Sequence, residues 1–417
     1  MVRKLILIVT ISLGATGFVG CGINDINSLT NINSISSQSV VNENVTLEDS
    51  EVRDLEESDY NSKVILEDID TRYTLKDIND KKVLYDEGYK SLSVYDEEAD
   101  TAEKLITVLD EENYIKEFVI NENYIVWIEG DEEAIVGEGY SPIVWQIVAK
   151  DFKSGETFIV DKTKYDKNNI ALEGIEYYEP TDLFISDDNK VTFRGVDKRE
   201  TDNRIVTTAM FYDLESKQLK EVARADKIGS ESIFFPVCYG DIVCYEKGSN
   251  YQETGRSIYK ENIAYMHNIK TGETKIISED YNVNSINMYK NTIVMTAQYK
   301  NNEMADSILL YDINEDSLRE LFFANSKIVN YLKDKGIKEC KFFGIDIDDK
   351  YLYLRIQGDY STVIYNLESN EFISIQNDID KTMKNNLVKS YKSNYKQIKV
   401  VVAGYDIDDS IIEYNLK

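Results

Sequence analysis

Apolar residues in this chain come in short continuous runs, spaced at nearly even intervals and separated by polar turns. Ile147-Val148-Ala149, Ala209-Met210-Phe211-Tyr212, Ile263-Ala264-Tyr265-Met266, Ile308-Leu309-Leu310-Tyr311 and Val363-Ile364-Tyr365 are the clearest. Continuous rather than alternating apolarity predicts strands buried on both faces. Each run leads to an Asp or Asn that opens a six-residue cassette: Asp151-Phe152-Lys153-Ser154-Gly155-Glu156, again Asn268-Ile269-Lys270-Thr271-Gly272-Glu273, and in degenerate form Asp213 to Gln218 and Asn366 to Glu371. The chain then resumes as Thr157-Phe158-Ile159-Val160, Thr274-Lys275-Ile276-Ile277 or Phe372-Ile373-Ser374-Ile375, which is a hairpin. The opening side chain bonds its own backbone, and the fifth position calls for φ > 0. Gly155, Gly272 and Asn370 meet that demand cheaply, whereas Lys217 does not.

A second hairpin precedes each cassette, as in Phe184-Ile185-Ser186-Asp187-Asp188-Asn189-Lys190-Val191-Thr192-Phe193 and around 121–127, 240–244, 290–294 and 348–354. Two hairpins give four strands per repeat. With Asp96, Asp312 and Asn415 added, seven anchors stand at intervals of 55, 62, 55, 44, 54 and 49 residues. That period predicts an all-β fold, a β-propeller of four-stranded antiparallel blades, with seven blades favoured and six the alternative. The last segment, 398–403 followed by 410–415, lacks an outer strand. Lys63-Val64-Ile65-Leu66 or Arg72-Tyr73-Thr74-Leu75 could supply it, closing the ring with strands from both termini. Two helical insertions are expected, at 326–335 and at 378–390, the latter with Ile379, Met383 and Leu387 on one face.

Ser186-Asp187-Asp188-Asn189-Lys190-Val191-Thr192-Phe193 resembles the Ser-Pro-Asp-Gly-Lys turn and following strand of TolB-type propellers, with Asp187 for Pro and Asn189 for Gly. As pattern the resemblance covers most of the mature chain; as motif it covers one blade. It implies a fold and no active site. The same residues match four positions of the sialidase Asp-box, itself a structural turn.

The N-terminus reads differently. Arg3 and Lys4 precede an apolar run from Leu5 to Gly20, too short and too rich in Thr, Ser and Gly to span a membrane. Its end, Phe18-Val19-Gly20-Cys21, resembles the lipobox of bacterial lipoproteins, with Phe18 in place of the usual Leu. That implies a signal peptide at 1–21, diacylation of Cys21 and a cell-membrane anchor on the extracytoplasmic face, since two acyl chains suffice for stable attachment. Residues 22–61 are rich in Asn, Ser, Asp and Glu, with no aromatic before Tyr60, and are expected to form a flexible polar tether. The remainder, 62–417, is expected to be one propeller domain, because no linker interrupts it.

The formal charge of −29 becomes −31 once Arg3 and Lys4 leave. Such a surface repels nucleic acid and anionic lipid headgroups. A cluster of lysines at 381, 384, 389, 392, 396 and 399 reads as the solvated side of a short helix and strand. His267 is the only histidine, so a multi-histidine zinc site is excluded and any Ser/His/Asp relay would have to use it. No nucleophile elbow, phosphate loop or dinucleotide fingerprint is present. Cys238 and Cys244 could lie diagonally across a hairpin, with free thiols favoured over a disulfide. The acidic runs Asp346-x-Asp348-Asp349 and Asp406-x-Asp408-Asp409 lack the continuation of a calcium loop and read as turn openers, calcium being the lesser alternative; no cofactor is expected. Tyr177, Tyr178 and Glu179, between repeats, form a candidate contact loop.

The expectation is a non-catalytic, monomeric cell-surface lipoprotein whose propeller binds a protein or cell-wall ligand. The alternative is a glycan-active hydrolase or lyase, which needs two carboxylates converging at the propeller axis, roughly 5 Å or 6.5–9.5 Å apart, beside aromatic side chains.

Overall fold

The structure is a computed structural model and describes residues 40–41, 45–46, 51–66, 76–78, 81–85, 88–96, 101–131, 135–136, 139–140, 144–163, 180–198, 205–225, 230–251, 259–299, 307–322, 327–334, 341–357, 362–374, 387–392, 397–404 and 407–417. Seven sheets, I to VII in chain order, each contain four antiparallel strands in succession. Sheet I is Lys76–Ile78, Lys81–Tyr85, Ser91–Asp96 and Thr101–Thr107. Sheet II is Asn113–Ile120, Tyr124–Asp131, Trp145–Asp151 and Thr157–Lys162. Sheet III is Thr181–Ile185, Lys190–Lys198, Ile205–Asp213 and Gln218–Arg224. Sheet IV is Glu231–Tyr239, Ile242–Tyr251, Tyr259–Asn268 and Thr274–Ile276. Sheet V is Tyr281–Tyr289, Thr292–Tyr299, Ser307–Asp312 and Ser317–Phe322. Sheet VI is Lys341–Ile347, Tyr351–Gln357, Thr362–Asn366 and Glu371–Ser374. Sheet VII is Leu387–Lys392, Gln397–Gly404 and Ile407–Leu416, completed by Tyr60–Leu66 from the other end of the chain.

The cassette behaves as its chemistry requires. In five sheets the opener's Oδ1 accepts the backbone N–H groups two and three residues on: Asp151, Asp213, Asn268, Asp312 and Asn366. The residue after the opener donates its N–H to the turn of the sheet's first hairpin, Phe152 to Asn123 O, Leu214 to Asn189 O, Ile269 to Asp241 O, Ile313 to Asn291 O and Leu367 to Lys350 O. One turn thus latches onto the other, fixing both hairpins in one sheet. The fifth position is left-handed throughout: Gly155 at φ 74°, Lys217 at 54°, Gly272 at 73°, Asp316 at 51° and Asn370 at 56°. Lys217 carries the unfavourable side chain there. Lys217→Gly should therefore unfold about 1 kcal/mol less readily than Lys217→Ala, both variants having lost the exposed ion pair to Glu156. Urea denaturation of the two checks it.

Apolar side chains pack between successive sheets. Val83 and Leu92 of sheet I meet Phe118 and Trp127 of sheet II, Ile147 and Ala149 of sheet II meet Val191 and Phe193 of sheet III, and so on to Tyr353 and Ile364 of sheet VI, which meet Tyr414 of sheet VII. A helix, Lys327–Asp334, falls where the first insertion was expected and buries Ile328, Val329 and Leu332 against sheets V and VI.

Two expectations are corrected. In the second insertion, Leu387 to Ser390 lie in the strand Leu387–Lys392, paired with Gln397–Gly404, rather than in a helix; sheet VII needs that strand to reach four, and this outweighs an i, i+4 apolar spacing. The stretch expected as a free tether is also tied down over much of its second half. Val40–Val41 and Val45–Thr46 pair parallel to the outer strand of sheet V, and Val52–Asp54 to that of sheet VI. Arg53 bonds Asp59 at 2.5 Å and Glu371 at 3.0 Å, Tyr331 Oη donates to Asp54, and Leu55 is buried against sheets VI and VII. Backbone pairing of this kind needs few apolar residues, so composition hides it. Residues 67–75, 164–179 and 375–386 lie outside the described residues, as do Cys21 and the contact-loop candidates Tyr177, Tyr178 and Glu179.

Candidate functional site

The first strands of sheets II to VI touch one another in sequence and line the middle of the molecule, whereas last strands such as Thr101–Thr107 and Gln218–Arg224 are exposed at the rim. Every one of these five inner strands breaks register with its neighbour at a corresponding place. The breaks fall opposite Ile128/Glu129, at 181–184, at 234–237, at 283–285 and at 342–344. Such bulges re-aim side chains, and they recur at functional rims. In sheets III and IV the bulge is also strained. Asp182 sits at φ 56° and Phe235 at φ 46°, a conformation costly for a bulky side chain. Pro236, which has no N–H to give the ladder, stands inside the second bulge.

The two strained residues hold each other: Phe235 N donates to Asp182 Oδ2 at 3.3 Å. Asp182 also lies 3.9 Å from the Arg194 guanidinium, which sits 5.3 Å from the centre of the Phe234 ring. The Phe234 and Phe235 rings are 6.2 Å apart, and Phe235 is 38% exposed. Directly across the ladder from Phe234 is Glu246, 3% exposed, whose Oε2 has no hydrogen-bond partner. Burial, followed by the charge of Asp182, pushes the Glu246 carboxyl up to about 8; burial raises Asp182 as well, against the pull of Arg194. Arg194 Nε and Asn262 Oδ1 are likewise buried without partners. Two carboxyl groups that resist ionisation, an arginine and two aromatic rings thus converge where the inner strands bulge.

Sheet II carries a bonded carboxylate close to its own bulge, though not at the position of Glu246. Glu129 stands just beyond the bulge on the sheet I face, whereas Arg194 and Glu246 stand in register with Ile128, one residue earlier. It accepts from Trp127 Nε1 at 2.7 Å, Gln146 Nε2 at 2.6 Å, Asn113 Nδ2 at 3.3 Å, Leu109 N at 3.1 Å and Asp110 N at 3.4 Å. These donors clamp the link between sheets I and II, so Glu129 is structural.

The residues singled out from sequence fall elsewhere. His267 is a buried strand residue bonded through Nδ1 to Thr274 Oγ1 at 2.8 Å, its pKa lowered by burial and then by Lys220. Cys238 and Cys244 are free. Cys238 packs toward sheet III and Cys244 toward sheet V, on opposite faces of sheet IV, so no disulfide can join them without rebuilding the strand. Asp348 opens a turn, accepting Lys350 N, Tyr351 N and the Tyr353 hydroxyl. In the TolB-like turn, Ser186 Oγ donates to Asp188 Oδ1 and Asp188 Oδ2 accepts Gly240 N of the next sheet, so this motif joins two repeats. Among the described residues no group of three or more His, Cys, Asp or Glu side chains is placed to hold a metal ion. Asp182, Arg194, Phe235 and Glu246 were not singled out. The signals available were Pro236 within a strand and Glu246 ending the apolar run from Ile242 to Tyr245.

No protein-family model matches the chain, and no curated protein matches it in sequence. Among solved structures it is similar to a prolyl endopeptidase, with a TM-score of 0.54 and 10% identity, over 85% of this chain and 48% of that one. It is also similar to the β-propeller domain of the Trilobed protease from Pyrococcus furiosus, with a TM-score of 0.51 and 12% identity, over 82% of this chain and 94% of that one. The chain spans about half the length of the prolyl endopeptidase chain. At these identities the likeness shows the fold, a β-propeller domain, and no activity.

Proposed function

We propose that this protein is a binding module: a seven-bladed propeller closed by Tyr60–Leu66 against Ile407–Leu416, anchored through lipid on Cys21 at the extracytoplasmic face of the cell membrane, and taking its ligand at the inner bulges of sheets III and IV. One observation carries the reading. Phe235 is an exposed aromatic held in a strained conformation by a hydrogen bond to Asp182, and strain of that kind persists where a site must be kept in shape. A charge of −29 keeps the rest of the surface from nonspecific association with anionic polymers. The glycan-active alternative draws on Asp182 and Glu246, two carboxyl groups with raised pKa near one another. The burial of Glu246 and the arginine on Asp182 favour binding over turnover.

Capture from a native envelope extract by the full-length chain in detergent tests the reading. The wild type should retain a ligand, and Phe235→Ala should lose at least tenfold in retention with its melting temperature unchanged. Turnover of a glycan panel that disappears in Asp182→Asn would replace this reading with the enzymatic one.

A further inference from the structure

A cleft of about 220 Å³ opens between the outer strands of sheets I and II, lined by none of the residues at the inner bulges. Its walls are Leu105, Thr107 and Leu109 on the sheet I side and Thr157 on the outer strand of sheet II. Trp127, whose indole N–H goes to Glu129, adds ring carbon to the lining. The charged side chains on the cleft are Lys104 and Lys150, in a chain where acidic residues outnumber basic ones 76 to 47. Lys150 is half-buried and lies on the sheet I face, in line with Val148. Its Nζ donates to Leu105 O at 2.8 Å, and among the described residues no carboxylate meets it. Half-buried lysines elsewhere are compensated, Lys190 by Asp213 at 2.9 Å, Lys247 by Glu231 at 3.0 Å and Lys275 by Asp316. An ammonium has three N–H donors, so two remain for a ligand, and a half-buried cation without a counter-charge favours an anion beside it.

The repeat pattern shows why the cleft is there. The residue ahead of the turn opener is Tyr95, Tyr212, Tyr311, Tyr365 and Tyr414 in five sheets and His267 in a sixth, whereas sheet II has Lys150. Tyr212, Tyr311, Tyr365 and Tyr414 are buried, each among apolar residues of the sheet before its own. The Tyr212 ring stacks on Phe158 of the preceding outer strand at 6.5 Å. Lys150 reaches the corresponding strand of sheet I with an ammonium instead of a ring. The geometry points to the cleft as a binding site for a small carboxylate that carries one flat ring. The ring lies between the sheets as tyrosine does elsewhere, and the carboxylate meets the Lys150 ammonium. A net charge of −29 repels polyanions more strongly than a single carboxylate, so the ligand is small and singly charged.

Trp127 and Trp145 are the two tryptophans of the chain and both belong to sheet II, so their fluorescence reports on the cleft. The test is titration of the full-length chain in detergent at pH 7 with benzoate, with its neutral analogue benzamide and with acetate. Benzoate should give a saturable change and bind at least tenfold more tightly than either of the others, and its affinity should fall as salt is raised. Lys150→Met, which keeps the aliphatic stem and removes the charge, should keep the melting temperature and lose at least tenfold in benzoate affinity. Lys150→Tyr puts into sheet II the ring that five other sheets carry, and should fold with an unchanged or higher melting temperature and bind no benzoate. Equal affinity for benzoate and benzamide, equal affinity for benzoate and acetate, or full benzoate binding by either variant overturns the inference. The absence of any saturable change with benzoate in the wild type overturns it as well.

Discussion

Glu129→Ala is expected to destabilise the protein by about 3–5 kcal/mol, the largest loss anticipated for any single polar side chain described above. Glu129 is fully buried, and its two oxygens serve five donors from four different segments: the sheet I–II link, the inner strand, its own strand and the third strand of sheet II. Truncation leaves the Trp127 indole N–H and the Leu109 N–H facing an apolar interior, and each orphaned donor costs about 1–3 kcal/mol. Water reaching the Leu109 end recovers part of that. Glu129→Gln retains one acceptor oxygen and should cost about half as much. Trp127→Phe removes the indole donor, so Glu129→Ala made in that background should cost about 1–2 kcal/mol less than in the wild type. Denaturant titrations of the wild type and the four variants read this directly. A cost under about 1 kcal/mol for Glu129→Ala would show that the clamp between sheets I and II is held by the apolar contacts alone.

That Glu129 and Glu246 are both buried close to the bulges was invisible in the sequence, although much around them was not. The cassette was legible because its chemistry is local: an Asx opener, a left-handed fifth residue and a latch to the preceding turn all lie within thirty or so residues, and each copy restates it. Counting strands per repeat called for an N-terminal strand beside the C-terminal segment, with Lys63–Leu66 and Arg72–Leu75 as candidates, and the structure pairs the first. What failed did so for nonlocal reasons. Glu51 to Asp59 looks like tether because, apart from Val52 and Leu55, it is held by backbone pairing and the Arg53 ion pairs, neither of which needs apolar residues. Leu387 to Ser390 was drawn into a helix by spacing, whereas sheet VII takes it as a strand. The candidate site was hidden most thoroughly. Asp182 and Glu246 are 64 positions apart among 76 acidic residues, and only the two bulges bring them together.

Glu246 also bears on the pH dependence of the fold. Glu246 has its folded pKa near 8, against about 4.5 when unfolded. Between these values the native state binds the proton and the unfolded chain does not, so stability is full below about pH 4.5 and falls as pH rises toward 8. For this group alone the loss from pH 5 to pH 8 is on the order of 3 kcal/mol. Asp182, raised by burial, adds in the same direction. Asp59, Asp213 and Asp316, whose folded pKa values are depressed, contribute stability that is lost only at lower pH, outside the window. His267 acts oppositely, since its folded pKa is lowered and stability rises with pH up to about 6.5. The clean measurement is therefore the difference between wild type and Glu246→Gln, in which His267 and Asp182 largely cancel. That difference should be small at pH 5 and should widen in favour of Gln by roughly 1 kcal/mol per pH unit toward pH 8. A difference that stays flat across this range would mean that Glu246 is ionised and partnered in the native protein.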